Sequence, residues 1–268
     1  MQRKRAWTLS SFMLFGYAFL YIPIVMLVVY SFNASQRVTV WGGFSTKWYG
    51  ELLSNDRILS AVWVSLQVAF ITATSAVILG TLAAITIVRF KRIRGRTLFN
   101  GLITAPLVMP DVIMGLALLM VFVSLQQLTG WPESRGILTI SIAHITLAVA
   151  YVVVIIRQRL LDFDRSLEEA ALDLGARPLT VFFRITLPLI LPSLMAGWLL
   201  AFTLSLDDLV IASFTSGAGT TTLPMVVFSS VRVGVTPEIN ALGTIIISLV
   251  TVGVCIAGFV LHRQKKSL

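Results

Sequence analysis

The sequence predicts an all-α membrane protein, a bundle of six transmembrane helices with one long, structured loop on its inner side. Three observations lead there. The 268-residue chain is 57% apolar and only 12% charged, which leaves too few ionic groups to solvate a soluble globule. Its mean hydropathy of +0.90 is concentrated in runs of about 20 residues or more, the length a helix needs to cross the hydrocarbon core. Its net charge of +9 comes from basic residues in the short segments between those runs, which reads as topological charge rather than a nucleic-acid-binding surface. Backbone groups in hydrocarbon must bond internally and strand-length alternation is absent, so the fold is a helical bundle and not a barrel. The whole chain, 1–268, is expected to be one transmembrane domain.

Taken in order, the first run, 11–32, follows Arg3, Lys4 and Arg5 in the manner of a secretory signal. It is too long for one and lacks a small-residue cleavage site, so it is retained as a span. The remaining spans fall at 59–88, 98–127, 137–156, 194–214 and 238–262. Sixteen Lys and Arg lie before the first span, in 89–96, in 157–184 and in 263–266, against five at Arg37, Lys47, Arg57, Arg135 and Arg232. The richer side is therefore cytoplasmic, and both termini with it. Pro23, Pro106, Pro110 and Pro192 each remove a backbone donor and permit a kink. The single cysteine, Cys255, allows neither an intrachain disulfide nor a Cys-based metal site. Outside, Asn33 to Arg57 and Thr215 to Pro237 are the two sizeable connectors, the second with the composition of a loop that regains apolar character as a re-entrant or docking segment.

The connector 157–193 carries the punctuation of two short helices. Ser166 and Glu169 have the spacing of a capping box, opening a helix through Glu168, Ala170, Ala171 and Leu174. Gly175 supplies a left-handed stop. Pro178 then opens a second helix bearing Leu179, Phe182 and Phe183, which Pro188 is expected to end. A thin, alanine-faced helix beside aromatic anchors suits insertion into a partner's groove; the bland alternative is an amphipathic segment lying on lipid headgroups.

The run Glu169-Ala170-Ala171, then Gly175, then Ile185, Leu187 and Pro188 resembles the EAA signature of the membrane subunits of bacterial binding-protein-dependent ABC importers. Beyond it, Trp48 to Leu53, Thr104 to Val112, Ser205 to Phe214 and Thr221 to Ala241 resemble the putrescine and spermidine branch of those permeases, and within it the second permease of a putrescine importer. The resemblance implies the type I importer permease fold, with the loop as the coupling element that seats in an ATPase subunit. Glu168, Glu169, Ala170, Ala171, Gly175 and Phe182 are the coupling candidates. It further implies a multi-pass protein of the bacterial inner membrane, paired with a second permease, two ATPase subunits and a periplasmic binding protein. The chain has no G-x-x-x-x-G-K-[ST] phosphate loop, so ATP and Mg belong on the partner ATPases and none is expected here. No catalytic site is expected.

An ionisable residue at bilayer depth is by default a functional candidate. Asp111 and Asp207 each lie thirteen residues into an outward-running span, about 20 Å from its inner end. With Asp208 they are candidates to compensate a polyamine's ammonium groups during passage. Adjacent helix positions diverge by about 100°, so Asp207 and Asp208 cannot face one way, and either could be the structural one. Trp198, Phe202 and Tyr151 could stack on alkyl-ammonium charge, although aromatics in spans more often pack. His144 and His262 are too far apart for a metal motif, and no metal site is expected. Two rivals stay open: a proton-coupled secondary transporter using the same acids, and a membrane scaffold whose loop recruits a partner without transport.

Overall fold

A computed structural model describes residues 2–37, 40–90, 94–234 and 236–266, with side chains over 10–37, 40–90, 94–232, 234 and 236–252. Lys91 and Arg92 lie outside the described residues, as do the side chains of Arg3, Lys4, Arg5, Cys255, His262 and the basic residues of 263–266. The elements are α1 (Gln2–Ser31), α2 (Lys47–Leu53), α3 (Asp56–Arg89), α4 (Arg96–Val108), α5 (Asp111–Thr129), α6 (Ile137–Leu161), α7 (Ser166–Asp173), α8 (Pro178–Val181), a π turn (Phe182–Thr186), α9 (Leu187–Asp207), α10 (Val210–Thr215), α11 (Leu223–Val233) and α12 (Pro237–Lys266). Among the described residues no strand forms; Asn33 and Phe44 make an isolated antiparallel bridge.

Among the described residues, five stretches are long and apolar enough to cross a membrane: Ser10–Ser31, Asp56–Arg89, Asp111–Thr129, Ile137–Leu161 and Pro178–Asp207. The sixth expected span falls on α12, a helix of 30 residues whose side chains beyond 252 lie outside the described residues.

Contacts divide the chain into two compact units. The first comprises 1–59 with 227–268. In it α1 packs on α12 closely enough that a Cβ on Gly243 would lie 3.1 Å from Leu27. The connector after α1 is organised by buried Asn33: its Oδ1 accepts the Ser35 and Gly42 N–H groups at 3.1 and 2.7 Å, and its carbonyl accepts Trp48 Nε1–H at 2.6 Å. Asn55 donates to Glu238 at 3.0 Å, joining the root of α3 to that of α12.

In the second unit, 60–226, α6 is the central helix. Ala73, Ala76 and Ala84 of α3 and Ala201 of α9 are fully buried in the core that contains Val152 and Ile156 of α6. A Cβ on Gly80 would fall 2.6 Å from Val152, so glycine is required where α3 crosses α6. Lipid tails are as apolar as the helices, and close approach through small residues is what holds such a bundle together.

Four expectations are corrected. The span 98–127 is two helices, since Pro110 has no N–H to continue α4 and forces Met109 into extended backbone, φ −82° and ψ 134°. The halves still make one passage along α6: Asn100 and Ile103 of α4 lie beside Val153 and Arg157, and Met114 of α5 beside Ala143. The fifth span is helical from Pro178, not 194, and its regular helix ends at Asp207 before the short α10. Pro188 does not end the loop's second helix. The widened π turn, in which Leu187 N–H reaches back to the Phe182 carbonyl, makes room for the proline ring that would clash in a regular α turn. Finally, Ser166 caps nothing: its N–H donates to Asp164 Oδ1 at 3.0 Å, so the aspartate performs the capping.

Candidate functional site

The first site is the hairpin α7–α8. Its turn is a Schellman motif: Ala176 N–H donates to the Ala171 carbonyl at 3.1 Å and Gly175 N–H to Leu172 at 2.9 Å. Gly175 has φ +85°, the left-handed region glycine enters without strain. Arg177 is extended and Pro178 occupies the first turn of α8, as expected. Asp164, outside the helix, is held below the usual carboxyl range by hydrogen bonds from the backbone and side chain of Ser166.

The hairpin is anchored from beneath by Glu168, whose carboxylate pairs with Arg89 at the end of α3 and accepts the Thr186 hydroxyl from the π turn. Burial pushes the Glu168 pKa up, but hydrogen bonds from Arg89 and Thr186 and the charges of Arg89 and Arg165 outweigh it and hold the carboxyl below its usual 4.5. A depressed carboxyl contributes stability above its unfolded pKa and loses it as pH falls through the folded one. The anchor is therefore intact at neutral pH and fails only in acid below 4.5. Glu168→Gln removes the charge at pH 7. It should cost roughly 2 kcal/mol, about thirtyfold in local opening, read as faster hydrogen exchange confined to 164–187.

Of the coupling candidates, Glu169, Ala170 and Gly175 are exposed and Ala171 is half-buried. Glu168 and Phe182 instead face inward, lining a cavity of about 290 Å³ with Ile85, Arg89 and Val181. The outward apolar surface comes from Leu174, 90% exposed, with Leu179 and Phe183. A left-handed turn fringed by uncovered leucine and phenylalanine is an apolar edge of the kind that docking partners cover.

The second site is the pair of helix breaks. Asp111 is the first residue of α5 and Asp207 the last of α9, and both are exposed. The breaks lie at one level of α6, because Met114, Ala143 and Ile211 share a cluster and Gly115 abuts Phe214 and Ile211. Asp208 has a different environment. Its Oδ1 accepts the Ala212 N–H at 2.8 Å, capping α10, and lies 3.2 Å from His144 Nε2, while His144 Nδ1 and Ser205 Oγ are 2.8 Å apart. Asp208 thus holds the break in shape and Asp207 is the outward acid, a choice the sequence left open. Gly197, Ala201 and Ser205, small residues on one face of α9, are buried, as close helix packing requires. His144, dismissed as a metal ligand, is the buried partner of this network. It is itself ionisable at mid-span, which was the signal that marked the acids.

Asp207 adds a carboxylate to the negative end of α9's dipole. An anion placed there favours a cation opposite it, and discontinuous helices in transporters present such ends to cargo. The aromatics are elsewhere. Trp198 stacks on Phe202 at 5.1 Å, meets Phe70 edge-on at 5.8 Å, and donates to Thr74 Oγ1 at 3.2 Å. Nine residues from Asp207, it lies about 13 Å back along the axis and serves packing between α3 and α9. Tyr151 is half-buried on α6, two turns from His144. No cluster of three metal-ligating side chains occurs among the described residues.

Helices long and apolar enough to cross a membrane, two of them broken at one level, and a hairpin with an uncovered apolar edge define a multi-pass helical membrane protein. Residues 76–265 match the family of binding-protein-dependent transport system inner membrane components, and the chain belongs to that family. It is 61% identical over 254 residues to the putrescine transport system permease protein PotI of Escherichia coli K12, covering 95% of this chain and 90% of that one. It is 43% identical over 257 residues to the spermidine/putrescine transport system permease protein PotC of the same strain, covering 96% and 94%. Among solved structures, a bacterial ABC transporter involved in the import of the acidic polysaccharide alginate has the same fold, with a TM-score of 0.72 at 18% identity and 98% of both chains covered.

Proposed function

We propose that this chain is one transmembrane subunit of an ATP-driven importer of polyamines, putrescine first among them, working by alternating access in the bacterial inner membrane. The observation that carries the reading is the 61% identity, over 95% of the chain, with a permease named for putrescine transport. In this reading residues 1–268 act as one permease with both termini cytoplasmic and α12 as the sixth span. A second permease, two ATPase subunits and a periplasmic binding protein complete the machine. ATP-driven closure of the ATPases pulls on the hairpin at Gly175, and the Glu168 anchor passes the displacement to α3 and, through the π turn, to α9. The bundle then tilts from inward-open to outward-open. Asp111 and Asp207 compensate the ammonium charges as the diamine leaves water; Asp208 keeps the α9–α10 break in register.

In proteoliposomes holding the assembled complex and its binding protein, labelled putrescine should accumulate only with ATP, at an unchanged rate after an uncoupler collapses the proton gradient. Uptake that survives without ATP and stops with the gradient would assign the acids to proton coupling instead.

A further inference from the structure

Where α3 ends, α4 begins and α6 ends, the hairpin side of the bundle holds a cavity of about 320 Å³ lined by Ile87, Val88, Arg96, Arg157, Leu161 and Arg165, with no carboxylate in its wall. Arg96 and Arg165 are fixed across it by donating to the Ile87 and Val88 carbonyls, both at 3.1 Å. A guanidinium carries five donors, so Arg165 keeps N–H groups beyond the one spent on Val88. Arg157 makes no hydrogen bond or ion pair among the described residues and borders the same space.

A second cavity, of about 130 Å³, adjoins the first, sharing Ile87 and Arg157 with it, and runs between α4 and α6 along Ile103, Ala150, Val153 and Val154. From Arg157 to Ala150 it extends about 10 Å toward the middle of the bundle. Its wall is apolar apart from Asn100 and Thr104 below the arginines. The Asn100 side-chain oxygen is buried without a hydrogen-bond partner, while the Thr104 hydroxyl is spent on the Asn100 backbone carbonyl at 2.9 Å.

Three cations at one end and an apolar slot leading away from them follow the order of phosphate and acyl chain. We propose that these two cavities hold the phosphate and the first methylenes of one chain of an anionic phospholipid of the cytoplasmic leaflet, the phosphate against Arg96, Arg157 and Arg165 and the chain entering between α4 and α6. The leaflet assignment rests on the orientation proposed above. A free phosphate would satisfy the arginines and leave the slot unfilled. A protein side chain from an ATPase subunit would not enter the slot between two membrane helices. Because Arg165 immediately precedes α7, the bound lipid braces the root of the coupling hairpin, and part of the basic excess that reads as topological charge is a binding site.

The test uses the whole transporter purified in mild detergent, exchanged into phosphatidylglycerol or phosphatidylcholine and examined by native mass spectrometry. Retained phosphatidylglycerol should exceed phosphatidylcholine and should fall about fivefold in Arg157→Ala, one basic contact's worth. Val154→Trp, at a half-exposed position of the slot, should abolish retention while the subunits still assemble, and excess inorganic phosphate should not displace the lipid. Equal retention of the two lipids, or retention indifferent to both variants, overturns the proposal. So does displacement by phosphate with Val154→Trp silent, which assigns a free-anion site, or an Arg157→Cys crosslink to an ATPase subunit in lipid-free complex, which assigns a protein contact. Lipid binding in detergent is read without transport. If the wild-type complex retains the lipid but shows no ATP-dependent uptake, that counts against the importer reading alone.

Discussion

Gly175→Val should abolish the stimulation of ATP hydrolysis by substrate-loaded binding protein while leaving the assembled complex intact. At φ +85° a valine is strained whatever space surrounds it, and here nothing lies within 4 Å of the position its Cβ would take. The effect is therefore backbone alone, about 1–2 kcal/mol for an L-residue held left-handed. That is too small to unfold a bundle packed through α6, but the strain is relieved where the chain is least restrained, by opening the Schellman turn. The α7–α8 angle then changes, and the docking edge of Leu174, Leu179 and Phe183 no longer presents one surface. Asn, which tolerates the left-handed region, should restore most of the stimulation and Ala only part of it. Rates of phosphate release in proteoliposomes with and without binding protein check this series, and wild-type stimulation in the valine variant would remove the hairpin from the mechanism.

The second large effect concerns the two exposed acids at the helix breaks. Asp111→Asn with Asp207→Asn should lower putrescine uptake about a hundredfold, taking each charged contact as worth roughly 1.5 kcal/mol or more, with assembly unaffected because neither carboxylate is buried. Asp208→Ala should behave oppositely. It uncaps Ala212 and leaves buried His144 without its carboxylate, at about 1–2 kcal/mol for the cap alone. The amount of assembled transporter falls, and uptake per assembled complex falls less. Uptake kinetics normalised to complex separate the two. Wild-type rates in the double asparagine variant would exclude a substrate role for the pair.

What the sequence revealed follows from how local the information is. The hairpin was legible because glycine in a left-handed turn and proline at a first helical position act within a few residues. The spans were legible because apolar length is a property of composition. The breaks were not. Pro106 stays inside a helix while Pro110 ends one, and nothing in the residues beside them separates the two prolines. Pro188 read as a stop because the π turn that absorbs it has no local signature. Glu168 looked like an outward neighbour of the Glu169 signature, and only the fold brings Arg89, 79 residues away, beneath it. The choice between Asp207 and Asp208 likewise needed His144 on another helix. For Glu168 and for Asp208 the deciding partner is distant in sequence, where periodicity is silent.

In the proposed function this chain moves cargo only as the driven part of a larger machine, with the hairpin as its drive point. That dependence is tested most directly by measuring labelled putrescine flux into liposomes that contain this chain alone, beside liposomes that contain the complete complex with internal ATP. No flux above lipid background is expected in the first and sustained accumulation in the second. Accumulation by the isolated chain, with no ATPase in the preparation, would contradict it.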